Sequence, residues 1–310
     1  MWITPHTVAL DVPGHFRVLQ FSQRRGIPHL IVPPKAGHGG WIVDMHPDSS
    51  LIQTALANAD GPVFVLDYPS CTPERRFDTI AVLMENLDAA VNHLGGWVNL
   101  YGLCQGGWES LIYACLHPEK VSDLTLAGAP LDAHAGESIL ADSLKIDLSV
   151  YEAVVAAQGG VMKGDMMLAA WVGFDWPKHF AKLPLIWSHR LFGGWTNAGR
   201  FDEWYYKDTR DIPGAWYLEC IEHIFLNNRL IKNEMYVNGQ HVNLHNLRKL
   251  DRINLVAGGK DDITPKEQVF ALEKYAACHT HLIGGAGHVG VFMGKRGHGS
   301  VWPQLFQGDS

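Results

Sequence analysis

The segment Gly102-Leu103-Cys104-Gln105-Gly106 constrains this chain most, because a glycine-flanked cysteine joins a strand-like apolar run to a helical pattern. A nucleophile between two glycines at such a junction is typical of a strained strand-to-helix turn, where only small residues fit alongside. The N-terminus of the following helix favours a thiolate and an oxyanion, and the backbone N–H of Gln105 is a natural oxyanion donor. The alternative is a structural cysteine in a glycine turn.

Two distant residues are candidates for the base and the acid that a cysteine nucleophile needs, in the order nucleophile, acid, histidine. Asp261 follows the apolar run INLVAGG (253–259), and His288 lies in a glycine-rich segment after THLIG (280–284). Both are predicted at strand ends. Asp262 competes for the role of the acid, and Asp261 is preferred because Pro265 follows it four residues later.

A second glycine-rich stretch, PPKAGHGG (33–40), follows the apolar run HLIVPP. Its position predicts a second oxyanion donor, with Gly37 and His38 as the candidate residues. The side chain of His38 either contacts the ligand or holds the loop. No Lys-Ser or Lys-Thr pair accompanies the glycines, so a nucleotide-binding role is not supported.

The segments around these motifs alternate between strand-like and helical patterns. Apolar, β-rich runs occupy 16–21, 29–34, 62–67, 98–102 and 124–128, and residues 79–95 repeat their apolar side chains at helical spacing. From about 133 to 245 the sequence is helical and loop-like, and the strand pattern then returns. This order predicts an α/β fold with a mostly parallel, doubly wound sheet. Residues 1–132 and 246–310 are expected to form its core, and 133–245 a helical cap.

The predicted cap is rich in Met and Trp, whose soft apolar side chains suit an irregular aliphatic ligand. We expect it to form a lid over Cys104, with several of eight side chains facing the cleft. The alternative is that all eight pack inward. They are Met166, Met167, Trp171, Trp176, Trp187, Trp195, Trp204 and Trp216.

Composition excludes several classes of function. The 310 residues carry a net charge of −7 and no basic run, which argues against nucleic acid as a partner. No apolar run reaches the roughly 20 residues that span a bilayer, and the N-terminal residues lack a signal-peptide pattern. The five cysteines are scattered, which indicates free thiols in a reducing cytoplasm. No metal site or cofactor is predicted.

Several segments resemble the polyhydroxyalkanoate synthases and the intracellular polyhydroxyalkanoate depolymerases, a cysteine-nucleophile branch of the α/β-hydrolases. Residues 102–107 resemble the synthase G-x-C-x-G-G box, and 42–52 and 116–132 are similar to other synthase segments. The segments 217–230, 257–268 and 285–296 are instead similar to the depolymerases. The resemblance covers roughly residues 28–308.

The resemblance implies that Cys104, Asp261 and His288 are the catalytic residues, the same three that spacing selects. This chain also departs from the family pattern. It has AGHGG where synthases usually carry an Asn, and Asp262 where they usually carry a His. It has Gly106 where depolymerases generally carry a Pro. These departures leave the direction of the reaction open.

The function expected from these features is hydrolysis of ester bonds in (R)-3-hydroxyalkanoate polymers or oligomers, through a Cys-His-Asp triad and an acyl-enzyme. A synthase that polymerises 3-hydroxyacyl-CoA is the alternative. A third reading is a non-catalytic protein that binds polyester granules through the cap. The polyester or a hydroxyacyl compound is the expected partner, and a granule surface and a second copy of the chain are left open.

Overall fold

A sheet with helices on both faces forms the centre of the structure, a computed structural model that describes residues 1–174, 176–192 and 197–307. The strands are β1 (Thr7–Val12), β2 (Phe16–Gln20), β3 (His29–Val32), β4 (Val63–Asp67), β5 (Val98–Leu103), β6 (Val121–Ala127), β7 (Val161–Met162), β8 (Ile212–Pro213), β9 (Tyr236–Val237), β10 (Gln240–His241), β11 (Arg252–Gly258) and β12 (His279–Ile283).

The helices follow the same order along the chain. They are α1 (Leu51–Asn58), α2 (Ile80–His93), α3 (Gln105–Leu116), α4 (Ile139–Ser143), α5 (Leu148–Ala157), α6 (Gly164–Phe174), α7 (Trp176–Phe192), α8 (Asn197–Asp202), α9 (Gly214–Glu219), α10 (Lys266–Phe270), α11 (Gly290–Met293), α12 (Lys295–Ser300) and α13 (Trp302–Phe306). Within these described ranges, no helix is both long and apolar enough to cross a membrane.

The main sheet has the strand order β1-β2-β4-β3-β5-β6-β11-β12 in the described chain. The pairs β1–β2 and β2–β4 are antiparallel, and the other neighbours are parallel. Successive side chains of β3 enter opposite layers: Leu30 and Val32 pack in the cluster with α2 and α3, and Ile31 packs in the cluster with α1 and α13. Burial on both faces explains the nearly continuous apolar runs of the sequence.

The predicted fold class is confirmed: the sheet is mostly parallel and helices cover both of its faces. Each apolar run named above became a strand, and the helix expected at 79–95 is α2. Two features were missed. The edge strand β1 is half exposed, with Val8 at 50% exposure, so its sequence shows no buried run. The strands β7 to β10 have two residues each, too few to show a period.

Between β6 and β11, which are neighbours in the sheet, the chain leaves the core and passes through α4 to α9. Part of this passage packs onto α2 and α3. Trp216 is fully buried and stacks on Trp108 at 5.8 Å, and Glu219 accepts the backbone N–H of Ile80 at 2.7 Å. The later part of the passage is therefore continuous with the core. The boundaries 133 and 245 stay a prediction.

Candidate active site

Cys104 lies at the junction of β5 and α3 with a backbone conformation that side chains rarely adopt. Its φ is 52° and its ψ is −117°, and its N–H donates to the carbonyl of Ala127 on the neighbouring β6 at 2.8 Å. A non-glycine residue in such a region costs about 1–3 kcal/mol, so the surrounding structure must enforce it. The turn directs the thiol into a cleft, where the residue is 7% exposed.

The glycines around Cys104 are required by close packing. A Cβ at Gly102 would lie 2.5 Å from the carbonyl oxygen of Gly106, and one at Gly106 would lie 2.2 Å from that of Val32. A Cβ at Gly107 would lie 2.4 Å from the Cβ of Ala129. Each distance is far below a normal contact, so α3 approaches the sheet this closely only because these positions lack side chains.

Cys104, His288 and Asp261 form a continuous hydrogen-bonded chain. His288 Nε2 lies 3.2 Å from Cys104 Sγ, and His288 Nδ1 lies 2.9 Å from Asp261 Oδ2. The three residues come from the loops after β5, β11 and β12, whose carboxyl ends share one edge of the sheet. A thiol, a base and an orienting carboxylate at these distances have the arrangement needed for nucleophilic catalysis.

Electrostatics at this site follow from the burial of His288 and Asp261. Burial alone would lower the pKa of His288, but the charges of Asp261 and Cys104 and hydrogen bonds to both raise it well above its usual value. Burial alone would raise the pKa of Asp261, but the charge of His288 and hydrogen bonds from His288, Thr264 and Ile263 lower it. The geometry therefore favours a charged imidazolium next to an ionised carboxylate.

Thr264 is part of this site and was not predicted from the sequence. Its fully buried hydroxyl lies 3.0 Å from Asp261 Oδ2, from His288 Nδ1 and from the carbonyl oxygen of Gly128. The backbone N–H of Thr264 also donates to Asp261 Oδ1 at 2.9 Å. The signal was present, because Thr264 directly precedes the Pro265 that was used to choose the acid.

Asp262 occupies a different place from Asp261. Its carbonyl oxygen accepts the N–H of Ile139 at 3.0 Å, and the residue lines the cleft. The carboxylate that reaches His288 belongs to Asp261, the residue preferred from the sequence.

The glycine-rich loop 33–41 borders the same cleft, where Ala36 and His38 lie in the wall with Cys104. Both ring nitrogens of His38 face carbonyl oxygens: Nε2 that of Tyr205 at 3.0 Å and Nδ1 that of Ala36 at 3.2 Å. Burial lowers the pKa of His38 despite these bonds. The contacts to both carbonyls and the stacking of the ring on Tyr205 at 4.9 Å support the loop-holding alternative.

Gly37 and Gln105 are placed differently around the cleft. Gly37 has a φ of +81°, and its carbonyl accepts the N–H of Arg210 at 2.7 Å. A Cβ there would lie 2.9 Å from the Cβ of Met167. Gln105 begins α3 directly after Cys104, so its N–H belongs to the first turn of the helix, which lacks intrahelical acceptors.

The cleft has a volume of about 530 Å³ and is walled by both the sheet loops and residues of the passage between β6 and β11, the predicted cap. Among the eight side chains expected to face it, Trp171 and Trp204 line the wall with Cys104. Met167 and Trp216 are buried, which is the inward packing of the alternative, and Trp195 lies outside the described residues. The remaining three are exposed: Met166, Trp176 and Trp187.

The cysteines other than Cys104 form no disulfides and are buried or partly buried. All five lie in the described ranges and none forms a disulfide. Burial raises the pKa of Cys71, Cys115, Cys220 and Cys278, the last to about 12. Among the residues that the structure describes, no group of three or more His, Cys, Asp or Glu side chains is placed to hold a metal ion.

The sheet, the strand-to-helix turn and the strand-end loops define an α/β-hydrolase fold with a cysteine at the strand-to-helix turn. The family described as PHB de-polymerase C-terminus matches residues 147–308, more than half of the chain. The chain belongs to this polyhydroxyalkanoate synthase and depolymerase family, as its motifs predicted. A second family model, described as a protein of unknown function, matches residues 16–141.

Two curated relatives are named Poly(3-hydroxyalkanoate) polymerase subunit PhaC. The relative from Haloferax mediterranei is 28% identical over 282 residues, covering 86% of this chain and 55% of the relative. The relative from Haloarcula marismortui is 26% identical over 294 residues, covering 92% of this chain and 61% of the relative. The chain thus spans between about half and three fifths of the length of these two relatives.

Solved structures with the same fold include an esterase and a lipase. A thermophilic esterase from Thermogutta terrifontis has a TM-score of 0.59 at 15% identity, over 98% of this chain and 99% of that chain. The monoacylglycerol lipase of Paleococcus ferrophilus has a TM-score of 0.59 at 16% identity, over 93% of this chain and 98% of the lipase. At these identities, the likeness concerns the fold alone.

Proposed function

We propose that this protein hydrolyses ester bonds of (R)-3-hydroxyalkanoate polymers or oligomers through an acyl-enzyme on Cys104. The observation that carries the proposal is the chain of contacts from Cys104 Sγ to His288 Nε2 and from His288 Nδ1 to Asp261, at 3.2 and 2.9 Å. The family match adds the class of substrate, because it is described as a depolymerase and its range includes Asp261 and His288.

In the acylation step, Cys104 Sγ attacks the ester carbonyl carbon after its proton has passed to His288 Nε2, which gives the imidazolium that the site favours. The carbonyl oxygen becomes an oxyanion, which we assign to the N–H of Gln105 and to loop 33–41. The backbone pairing of this loop with the cap uses the carbonyl of Gly37 and the N–H of Gly39, so the N–H of His38 lies outside it. We assign that N–H as the second donor.

Collapse of the tetrahedral intermediate breaks the ester C–O bond and releases the alcohol end of the substrate. An alkoxide is a poorer leaving group than a thiolate, so His288 must return the proton to the alkoxide as the bond breaks. The Asp261 carboxylate and the Thr264 hydroxyl, both at Nδ1, orient the ring for this transfer.

Deacylation repeats the proton transfers with water. His288 removes a proton from a water molecule, the resulting hydroxide attacks the thioester carbonyl, and the C–S bond breaks to release the acid and restore Cys104. The cleft wall around the thiol is largely apolar, with Leu140, Trp171, Phe174 and Phe292 among its residues. Such a wall suits a chain of methyl and methylene groups with uncharged esters.

Polymerisation is a second candidate, and the names of the curated relatives favour it. A synthase forms the same acyl-enzyme from a 3-hydroxyacyl thioester but transfers the acyl group to a hydroxyl of another substrate. The two functions therefore differ in the molecule that attacks the thioester, and they share Cys104, His288 and Asp261. A granule surface as partner, a homodimer and a cytoplasmic location remain predictions.

The test is a product analysis of the pure protein with two substrates, amorphous polyhydroxybutyrate and 3-hydroxybutyryl-CoA. Release of 3-hydroxybutyrate or its oligomers from the polymer supports the hydrolase. Free CoA accompanied by new polymer overturns hydrolysis in favour of the synthase, and no product from either substrate supports a binding protein. Cys104→Ala should abolish product formation, and Cys278→Ala, at a thiol outside the cleft wall, is the matched control.

A further inference from the structure

A segment of the cap, residues 204–211, hereafter the strap, holds loop 33–41 by hydrogen bonds along its length. The N–H of Arg210 donates to the carbonyl of Gly37 at 2.7 Å, and the N–H of Gly39 donates to the carbonyl of Asp208 at 3.3 Å. Trp204 Nε1 also donates to the carbonyl of Gly39 at 2.7 Å. The loop therefore lies where the strap places it.

Gly39 packs closely against the strap, with no room for a side chain. A Cβ there would lie 2.0 Å from Asp208 Oδ2 and 2.9 Å from Arg210 Nη2. Asp208 accepts hydrogen bonds from both Trp41 Nε1 and Arg210, so one strap carboxylate connects the end of the loop with the arginine. A shift of the strap must move the loop with it.

Arg210 fastens the strap to the core through the carboxylate of Asp67, the last residue of β4. Arg210 Nη1 lies 3.0 Å from Asp67 Oδ1 and also donates to the carbonyl of Tyr68. Asp67 is fully buried, and its other oxygen pairs with Arg17 on β2. A buried carboxylate between two guanidinium groups is held firmly, because an unpaired charge at this depth is costly.

We propose that Arg210 is a positioning residue, which sets the oxyanion donor of loop 33–41 against Cys104 by anchoring the strap on Asp67. This inference rests on the proposed acyl transfer at Cys104, whatever attacks the acyl-enzyme afterwards. Arg210 acts through the loop and touches no reacting atom. Its loss weakens oxyanion binding while the contact between Cys104 and His288 stays intact.

Two reactions of Cys104 separate this role from a general loss of structure. Acylation by p-nitrophenyl butyrate passes through an oxyanion, and the burst of p-nitrophenol measures its rate. Alkylation by iodoacetamide is a displacement at a saturated carbon, forms no oxyanion, and reports only the thiol and His288. In Arg210→Met, we expect acylation to slow about 100-fold, the scale of a displacement of about 1 Å, while alkylation stays within about twofold of the wild type.

Arg17→Met is the matched control, since it removes the other guanidinium from Asp67 without touching the strap. It should leave both rates near those of the wild type, and thermal unfolding of both variants reports the loss of a buried partner. Arg210→Lys keeps the positive charge but not the planar guanidinium with its two parallel donors, and Cys104 in this variant should be acylated at an intermediate rate. Equal acylation in Arg210→Met and Arg17→Met, or a parallel loss of alkylation, overturns the inference.

The same measurements cover the case in which Arg210→Met does not fold. Arg210→Lys is then compared with Arg17→Lys, and equal acylation rates in this pair overturn the inference. Failure of the proposed function gives a different result: the wild-type protein then shows no burst that depends on Cys104. If the wild type shows a burst and the Arg210 variants show the same burst, only the proposed role of Arg210 is contradicted.

Discussion

The carboxyl edge of the sheet and the predicted cap differ in how firmly their side chains are held. At the sheet edge, Cys104 and Asp261 are 7% and 6% exposed and have hydrogen-bond partners on neighbouring loops. On α7 of the cap, Trp176 and Trp187 are 60% and 55% exposed. The sheet edge thus has the fixed geometry that chemistry needs, and the cap offers apolar surface that is not used for its own core.

This difference predicts how the two regions respond to substitution. Changes at the sheet edge should affect the rate of chemistry for every substrate, since each residue acts on the thiol or the imidazole. Changes in the predicted cap outside the strap should depend on the substrate, because they alter what the acyl chain contacts.

The largest effect is expected for Cys104→Ala, which removes the nucleophile. Turnover of any ester should fall by at least about 10⁴-fold, as for loss of a nucleophile elsewhere, while thermal unfolding changes little. The measurement is the rate of p-nitrophenyl butyrate hydrolysis beside an unfolding curve. Activity near that of the wild type would show that another residue attacks the ester.

A loss of about 10⁴-fold is expected for Asp261→Asn, because the amide favours the wrong tautomer of His288. The variant also removes the main charge that raises the His288 pKa, so that burial, which lowers it, is opposed by Cys104 only. The usual pKa of a histidine ring is about 6.5. The wild-type ring should stay protonated at pH values above this, and the ring of the variant should lose its proton at a lower pH than in the wild type. An NMR titration of the imidazole measures this shift.

Asp262→Asn is the matched control for this prediction, because its carboxylate is not the one bonded to His288. It should cost far less activity and leave the His288 titration unchanged. An equal loss in both variants would contradict the assignment of Asp261 as the orienting acid.

A smaller loss, about tenfold in kcat, is expected for Thr264→Val. The substitution keeps the shape of the side chain but removes the hydroxyl that contacts Asp261, His288 and the carbonyl of Gly128. It leaves a buried acceptor without its donor, which costs about 1–3 kcal/mol of stability. Thr264→Ser should restore most of the activity. If Val and Ser variants behave alike in a kcat and KM comparison, the hydroxyl has no role in orienting the ring.

The smallest effect is expected in the predicted cap outside the strap. Phe174→Ala removes a cleft-lining side chain and should raise KM for 3-hydroxyalkanoate oligomers about tenfold, with little effect on p-nitrophenyl acetate. Trp176→Ala, which also removes an aromatic side chain, one that is 60% exposed, should leave soluble oligomers unaffected. Equal effects of the two variants would contradict the claim that the cleft wall, and not the outer surface of the predicted cap, contacts soluble oligomers.

The sequence identifies the sheet edge better than the cap, and the reason is physical. Gly102 and Gly106 are required by backbone contacts within a few residues of Cys104, so a short motif carries the signal. The ion pair between Arg210 and Asp67 joins positions 143 residues apart, so no short sequence motif indicates it.

Tryptophans illustrate the same limit within the cap. Trp216 and Trp171 belong to similar Trp-rich stretches, yet Trp216 stacks on Trp108 inside the core and Trp171 lines the cleft. The direction that an aromatic ring faces depends on the path of the whole passage between β6 and β11. Amino-acid composition does not predict that path.

The most direct test of the proposed acyl-enzyme is to identify the acylated residue. The protein is mixed with an activated 3-hydroxybutyrate ester, quenched in acid within the first turnover, and digested for mass spectrometry. An acyl-enzyme on Cys104 predicts a single 3-hydroxybutyryl adduct, on the peptide that contains Cys104, that disappears with time as 3-hydroxybutyrate is released. Turnover without an adduct on Cys104, or with the adduct on another residue, would contradict it.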